Sequence, residues 1–418
     1  MKSISLFVLA ALIAGIIVGA LVRTEAPQFA GLAEGVGAFG GLWLNALSMT
    51  VVPLVVSLLI TGIASVSDAT KAGGLVARAV LLFSVLLVFA AIYGILATQG
   101  LLALWPVDRQ DAAAFIASVG ADAVQINERP TFVDWLRGLA PANPVSAAAN
   151  NQILQLVVFA VFFGFAATRT PPAMRDQLVG FFRAVSETMI IIVRWILLAG
   201  PLGVFALALG VGLRAGFGAV ETLVQYVLIV SAVTLSVTLI AWAIAIVFGR
   251  QPIGRFTAAA APVWAIAAST QSSLASLPAM LDAALRGLRI PAHVADVTLP
   301  LAVAVFRFTS PVANLAVCFF VAHLYGYEPS MMEVVGAIVV AFGVSVGSVG
   351  LPGQISFVAS IAPICMALGV PFELLGILIA VEVIPDIFRT LGNVTGDLAA
   401  TSVLSRNENR DELDEASG

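Results

Sequence analysis

Six residues near the C-terminal end of the chain can do chemistry together. Glu382, Asp386, Arg389, Thr390, Asn393 and Asp397 stand in the stretch VEVIPDIFRTLGNVTGDL, residues 381–398. On a helix, which turns by ~100° per residue, all six fall within about 100° of arc. The other faces carry Val, Ile, Phe and Leu. A guanidinium can grip a carboxylate through two parallel hydrogen bonds. A carboxylate can receive an ammonium group, and hydroxyl and amide groups can take what remains. Such a stripe suits a zwitterionic solute with an extra acid. The plainer reading is a structural ion pair between Asp386 and Arg389, which are neighbours on a helix face. It leaves Thr390, Asn393 and Asp397 on the same stripe without a reason.

The elements that must position this stripe are membrane helices. The chain has 418 residues, 60% of them hydrophobic and 11% charged, against about 25% charged in an ordinary soluble domain. Runs at 4–22, 79–97 and 223–248 reach the ~20 apolar residues that cross a bilayer. The fold class expected is therefore an all-α polytopic membrane protein. The opening MKSISLFVLAALIAGIIVGALV reads as a first membrane helix. Its apolar run exceeds the roughly 7–15 residues of a signal-peptide core. Spans are expected near 4–22, 38–66, 77–104, 145–168, 179–211, 219–248, 294–325 and 371–403. A polar excursion at 105–140 reads as an extracytoplasmic loop, and 404–418 as an acidic tail. Lys and Arg cluster in loops of one side, which places both termini in the cytoplasm; the location expected is a plasma membrane of the bacterial inner-membrane kind.

Composition also excludes function classes. No basic patch with interleaved aromatics points to nucleic acid. Cys318 and Cys365 lie in apolar runs and read as small buried hydrophobes. No Cys/His spacing marks a metal site. No nucleophile–base set or phosphate loop marks an enzyme. No cofactor is expected, and the short tail offers no signalling domain.

Two apolar segments, 254–285 and 332–368, are broken at their middles by TQSSLASLP (270–278) and SVGSVGLPG (345–353). Irregular backbone at membrane depth is tolerated where it is buried in protein or lines a cavity. Two interruptions in matching positions mark a transporter binding site between repeats; two kinked ordinary helices are the alternative. The serines of 270–276 and the N–H groups of a broken-helix tip can hold a second carboxylate.

With DIFRTLGNVTGDL (386–398) as its most specific part, the chain resembles the dicarboxylate/amino acid:cation symporters, the glutamate transporter homologues. Supporting pieces are PANPVSAAANNQILQLVVFAVFFG (141–164), PLGVF (201–205), SSLASLP (272–278) and SVGSVGLPG (345–353). The resemblance covers nearly the whole chain. It implies eight transmembrane helices and two re-entrant hairpins, 254–285 and 332–368, in inverted repeats. It implies a homotrimer in the lipid bilayer, with 1–72 and 141–248 mainly as trimerisation scaffold. Residues 73–104 and 254–403 would form a transport domain that moves like an elevator, gated by the second hairpin. Carried over by position, Gln271, Ser272 and Ser273 would meet the solute from the first hairpin. Val349, Gly350 and Leu351 would do so from the second, Ser310 from the seventh helix, and Asp386, Arg389, Thr390 and Asn393 from the eighth. In this family an aspartate at the Asp386 position goes with an amino-group substrate. An arginine at the Arg389 position goes with an acidic side chain. The expected solute is glutamate, aspartate or a related dicarboxylate.

The chain also departs from that pattern. Where the family's seventh helix carries N-M-D-G-T, this chain has Phe306, Arg307, Phe308, Thr309 and Ser310. Where its third helix offers hydroxyl groups near a sodium ion, this chain has Phe83, Leu86 and Leu87. Hard cations need oxygen ligands, so at least one sodium site is expected to be missing. Sodium could still be held around Asp397 with the carbonyls of Ala302 and Asn393, or at the carbonyls of Ala304, Ser345, Val346 and Ser348. Arg307 reads either as a permanent internal counter-ion or as a structural partner of Asp397 or Glu382. Burial favours the neutral form of a carboxylate, which makes Glu382 the first candidate for a proton carrier, ahead of Glu187 and His323. The expected activity is symport coupled to protons or to fewer sodium ions than usual. The alternative is an uncoupled exchanger or facilitator in which Arg307 replaces the coupling cation.

Overall fold

The computed structural model describes residues 2–70, 73–118, 132–215, 218–347 and 353–417. Every regular element among them is helical. Helices α1 (Lys2–Glu25), α2 (Ala30–Ser48), α3 (Val51–Thr70) and α4 (Gly74–Leu104) open the chain. Short helices α5 (Arg109–Ser118), α6 (Phe132–Gly138) and α7 (Pro144–Ala149) follow, then α8 (Ile153–Ala167), α9 (Pro172–Leu198), α10 (Gly200–Ala215) and α11 (Gly218–Val247). Two helical hairpins complete the design. The first is α12 (Ile253–Thr270) with α13 (Ser273–Asp282), and α14 (Ala292–Val305) and α15 (Thr309–Leu324) come after it. The second is α16 (Met331–Gly347) with α17 (Gly353–Ala367), followed by the short α18 (Leu375–Leu378) and the long α19 (Val383–Ser417).

Among the described residues, five helical stretches are long and apolar enough to cross a bilayer, or six if the bent pair α9–α10 counts as one. That pair turns by 59°, so the expected span at 179–211 is not straight. The expected spans at 145–168 and 371–403 are helical but do not meet the same measure. The longer helix of the first has 15 residues, and the second carries the polar stripe. The ten residues of α13 run on into a π-helical turn, Ala283–Gly287, and these fifteen residues reach only ~22 Å at ~1.5 Å per residue, short of the ~30 Å bilayer core. The first hairpin therefore enters and returns rather than crossing twice.

Proline explains three of the breaks. Pro53, Pro311 and Pro385 each sit three residues into a helix, where the missing N–H frees a carbonyl of the preceding turn. At Pro311 the freed carbonyl is that of Arg307, which accepts instead from Ser310 N at 2.9 Å. The helix is interrupted at Phe306–Phe308 as a result, and the expected span at 294–325 becomes α14 and α15. At Pro385 the carbonyl of Val381 accepts from Ile384 N at 3.3 Å, and α19 starts just after Glu382. In the first hairpin Gln271 takes a left-handed conformation, φ 54°. Ser272 then caps α13 by accepting from Ala275 N at 3.2 Å.

The core of the second half is built around α19. Tyr226 of α11, Trp264 of α12 and Thr298 of α14 each hydrogen-bond to it or to the residue preceding it, at 2.7, 2.9 and 3.2 Å. Close approach is allowed by two glycines one turn apart, a small-residue spacing typical of packed membrane helices. A Cβ at Gly396 would lie 2.9 Å from Cβ of Phe308, and one at Gly392 would collide with Thr309 and Thr238. Overpacking such a contact costs about 1–3 kcal/mol. Gly392→Ala is expected to destabilise the purified protein by that much, read as a lowered thermal midpoint; an unchanged midpoint would mean that α19 is not packed this closely.

Candidate functional site

The polar stripe meets the broken helix at one place. Arg307, Thr309, Ser310, Asn314, Phe357, Ser360, Asp386, Arg389 and Asn393 line a cavity of about 10 Å³. That is near the smallest space that holds one water, ~10–15 Å³. The lining comes from α15 and the break before it, from α17 of the second hairpin, and from α19. Room for a solute therefore requires one of these walls to move.

Arg389 is the centre of the arrangement. Its Nε lies 2.8 Å from Oε1 of Glu382, an ion-pair contact whose angles fall outside those of a hydrogen bond. Its Nη1 donates to Oδ1 of Asn314 at 2.8 Å. The hydroxyl of Tyr226 donates to the other carboxylate oxygen of Glu382 at 2.7 Å. Nη2 has no partner. The guanidinium is 12% exposed and Glu382 1%. The ion pair is therefore Glu382–Arg389, across two turns of chain, and not the Asp386–Arg389 pair that helix spacing suggests. A buried charge fixed in this way keeps one donor edge for a ligand, and a guanidinium favours a carboxylate there.

The other wall is tied together by Asn393. Its Oδ1 accepts from both the backbone N and the hydroxyl of Thr309 at 2.9 Å. Asn393 thus supplies the partner that the first N–H of α15 loses to the break. Thr309 Oγ1 also lies 2.8 Å from the carbonyl of Arg389.

Of the residues expected to meet the solute, Ser310, Asp386, Arg389 and Asn393 line the cavity, and so does Arg307. Thr390 is buried, and its hydroxyl donates to the carbonyl of Asp386 at 2.9 Å. Gln271, Ser272 and Ser273 form the tip of the first hairpin and are not part of the lining. The side chain of Gln271 donates to the carbonyl of Val383 at 2.9 Å, docking that tip on the start of α19. Val349, Gly350, Leu351 and Ser348 lie outside the described residues. Ser345 is buried and donates to the carbonyl of Ala341 at 2.7 Å. Ala302 is buried beside the break, where its carbonyl accepts from Phe306 N at 2.7 Å. Val346 is half-buried and Ala304 exposed. Glu187 is exposed on α9. His323 accepts from Val107 N at 3.4 Å, which holds a loop.

Sequence reasoning missed Tyr226, Asn314, Phe357 and Ser360. Asn314 had a signal, since it stands one helical turn after Ser310 and its amide reaches that hydroxyl at 3.3 Å. Tyr226 lies 156 residues before its partner and had none. Leaving a buried carboxylate oxygen without its donor costs about 1–3 kcal/mol. Tyr226→Phe is expected to lower the thermal midpoint accordingly and to weaken solute binding. Equal stability and binding would remove Tyr226 from the site.

A family model for the sodium:dicarboxylate symporter family matches residues 4–407. The proton/glutamate-aspartate symporter of Escherichia coli (strain K12) is 28% identical over 374 residues, 89% of this chain and 85% of that protein. The proton/sodium-glutamate symport protein of Bacillus caldotenax is 26% identical, over 94% of this chain and 92% of its own length. The neutral amino acid transporter B(0) of Homo sapiens is 29% identical, over 97% and 80%. With the match running through the broken hairpins and the polar stripe alike, the chain belongs to the sodium:dicarboxylate symporter family, whose members are membrane transporters and not enzymes.

Proposed function

We propose that this chain is a secondary active carrier of an acidic amino acid, glutamate or aspartate, or of a related dicarboxylate. One observation carries the reading: Arg389 is locked by Glu382 and Asn314 with a free donor edge beside Asp386. The guanidinium would take the solute's side-chain carboxylate, and Asp386 would face its ammonium group. The first-hairpin serines and the second-hairpin tip would complete the site. The names of two relatives, which specify glutamate or glutamate and aspartate, support this reading. A preference for neutral amino acids, as one relative's name states for that protein, would leave the free donor edge of the guanidinium without a carboxylate to bind.

The closed cavity supports a gate in the second hairpin, because α17 supplies Phe357 and Ser360 to its wall. An elevator movement of the hairpins with α4, α14, α15 and α19 against a trimeric scaffold has a second support. An apolar crevice of about 450 Å³ opens beside the contact of α3 and α8 with α4, α14 and α16, and Ser84 is the one hydroxyl side chain among its lining residues. A greasy joint offers few polar contacts to break during sliding. Coupling would run through a proton on Glu382, which touches both Tyr226 and Arg389, with both termini in the cytoplasm of the plasma membrane. Sodium held by main-chain carbonyls near Ala304 and Ser345 would be the alternative to that proton. Uncoupled exchange is the second reading, favoured by the unpaired charge of Arg307.

In proteoliposomes, an inward proton gradient is expected to accumulate labelled aspartate or glutamate above equilibrium, and a protonophore to abolish this. Glu382→Gln should retain exchange and lose the gradient-driven part; accumulation that survives in this variant would remove Glu382 from the coupling. Arg389→Met deletes charged hydrogen bonds, which is expected to lower acidic-solute affinity about 10- to 100-fold.

A further inference from the structure

Among the described residues, Asp397 has no hydrogen-bond partner at either carboxylate oxygen. It is 1% exposed on α19. An ionised carboxylate in such a place is strongly destabilising unless a cation faces it. The break between α14 and α15 lies against this part of α19: a Cβ at Gly396, the residue before Asp397, would lie 2.9 Å from Cβ of Phe308, the residue after Arg307. Arg307 also lines the same cavity as Asp386. Its guanidinium makes no direct ion pair or hydrogen bond among the described residues. The cation is thus placed near both carboxylates and fixed to neither. The expected structural pairing of Arg307 with Glu382 is not formed, because Glu382 is taken by Arg389 and Tyr226.

The family's description implies a sodium ion, and the residues on this side of the molecule do not fit one. Sodium would need a shell of oxygen ligands. Phe83 stacks on Phe306 with ring centroids 4.5 Å apart, and Phe308 follows at 5.6 Å. All three rings are buried, and Leu87 is buried on the same helix as Phe83. The Asn393 side-chain oxygen already accepts two hydrogen bonds from Thr309. Rings fill the space that oxygen ligands would need, and one carboxylate remains with both oxygens free.

We propose that Arg307 is a built-in replacement for a sodium ion, its guanidinium balancing Asp397 and Asp386 together so that neither folding nor solute binding requires sodium. The unwound backbone at 306–308 is what lets one side chain serve two carboxylates on a neighbouring helix. The consequence is energetic. A charge bonded to the protein cannot be taken up on one side of the membrane and released on the other, so it transmits nothing from a sodium gradient. Any driving force must enter by another route. The solute arm of the test rests on the acidic-solute reading above; the stability arm does not.

The experiment uses the purified full chain in detergent, in sodium chloride and in choline chloride at equal ionic strength. A bound ion that stabilises the folded state raises the midpoint with its concentration, and here the parent is expected to shift by less than about 2 °C. Aspartate affinity is expected to agree within about 2-fold between the salts, because no linked sodium is taken up. Arg307→Met should lower the midpoint in both salts. Adding Asp397→Asn should restore much of the loss, because coupled residues are non-additive in a double-mutant cycle. A tenfold or greater gain in parent affinity in sodium would overturn the proposal, as would a midpoint clearly higher in sodium or strictly additive losses. If Arg307→Met does not fold, the parent's salt comparison decides alone. If aspartate, glutamate and dicarboxylates all fail to bind, the solute reading falls while the midpoints still decide the role of Arg307.

Discussion

The arrangement depends on one constraint: a guanidinium held inside an apolar protein must have its charge answered and its donors placed. Arg389 meets this with Glu382 on one side and Asn314 on another. Each partner is itself held, Glu382 by Tyr226 and Asn314 by Ser310. Four elements, α11, α15, α19 and the turn before α19, converge because of that requirement. Removing one partner of a buried ion pair is far more damaging than the pair's net contribution suggests. The network therefore fixes a geometry more than it adds stability.

The helix breaks serve the same purpose. A continuous α-helix uses its own N–H and C=O groups and has nothing to offer a ligand or a neighbouring side chain. Pro311 and Pro385 open the backbone where α14 meets α15 and where α19 begins. The freed groups are then taken by particular partners, such as Thr309 N by Asn393. Gly392 and Gly396 let Phe308 and Thr309 approach α19 closely enough for those contacts to form. Backbone irregularity, packing and site geometry are one construction here.

Much of this was legible in the sequence, and the legible parts have a common character. Local periodicity put Asp386, Arg389 and Asn393 on one face, and all three line the cavity. Small polar residues at the middle of apolar runs located both hairpins. The sequence places phenylalanines at 306 and 308, and their rings are found stacked or tilted against Phe83 and one another. What stayed hidden was partner choice across distance. The pairing of Arg389 with Glu382 instead of Asp386 follows from where Tyr226 and the turn before α19 sit, and helix spacing contains neither. The break at 306–308 was also missed, although Pro311 announces it. Pro in membrane helices often leaves only a kink, and here the loss of Thr309's helical bond to Asn393 completes the interruption.

The most direct test of the central role of Arg389 is equilibrium binding of matched solutes, aspartate against asparagine and alanine, to the purified parent and to Arg389→Met. A charged hydrogen-bonded contact contributes about 1.5–3 kcal/mol, so the parent is expected to prefer aspartate by about 10- to 100-fold and the variant to lose that preference. Equal affinity of the parent for aspartate and alanine, or an unchanged preference in the variant, would contradict the account.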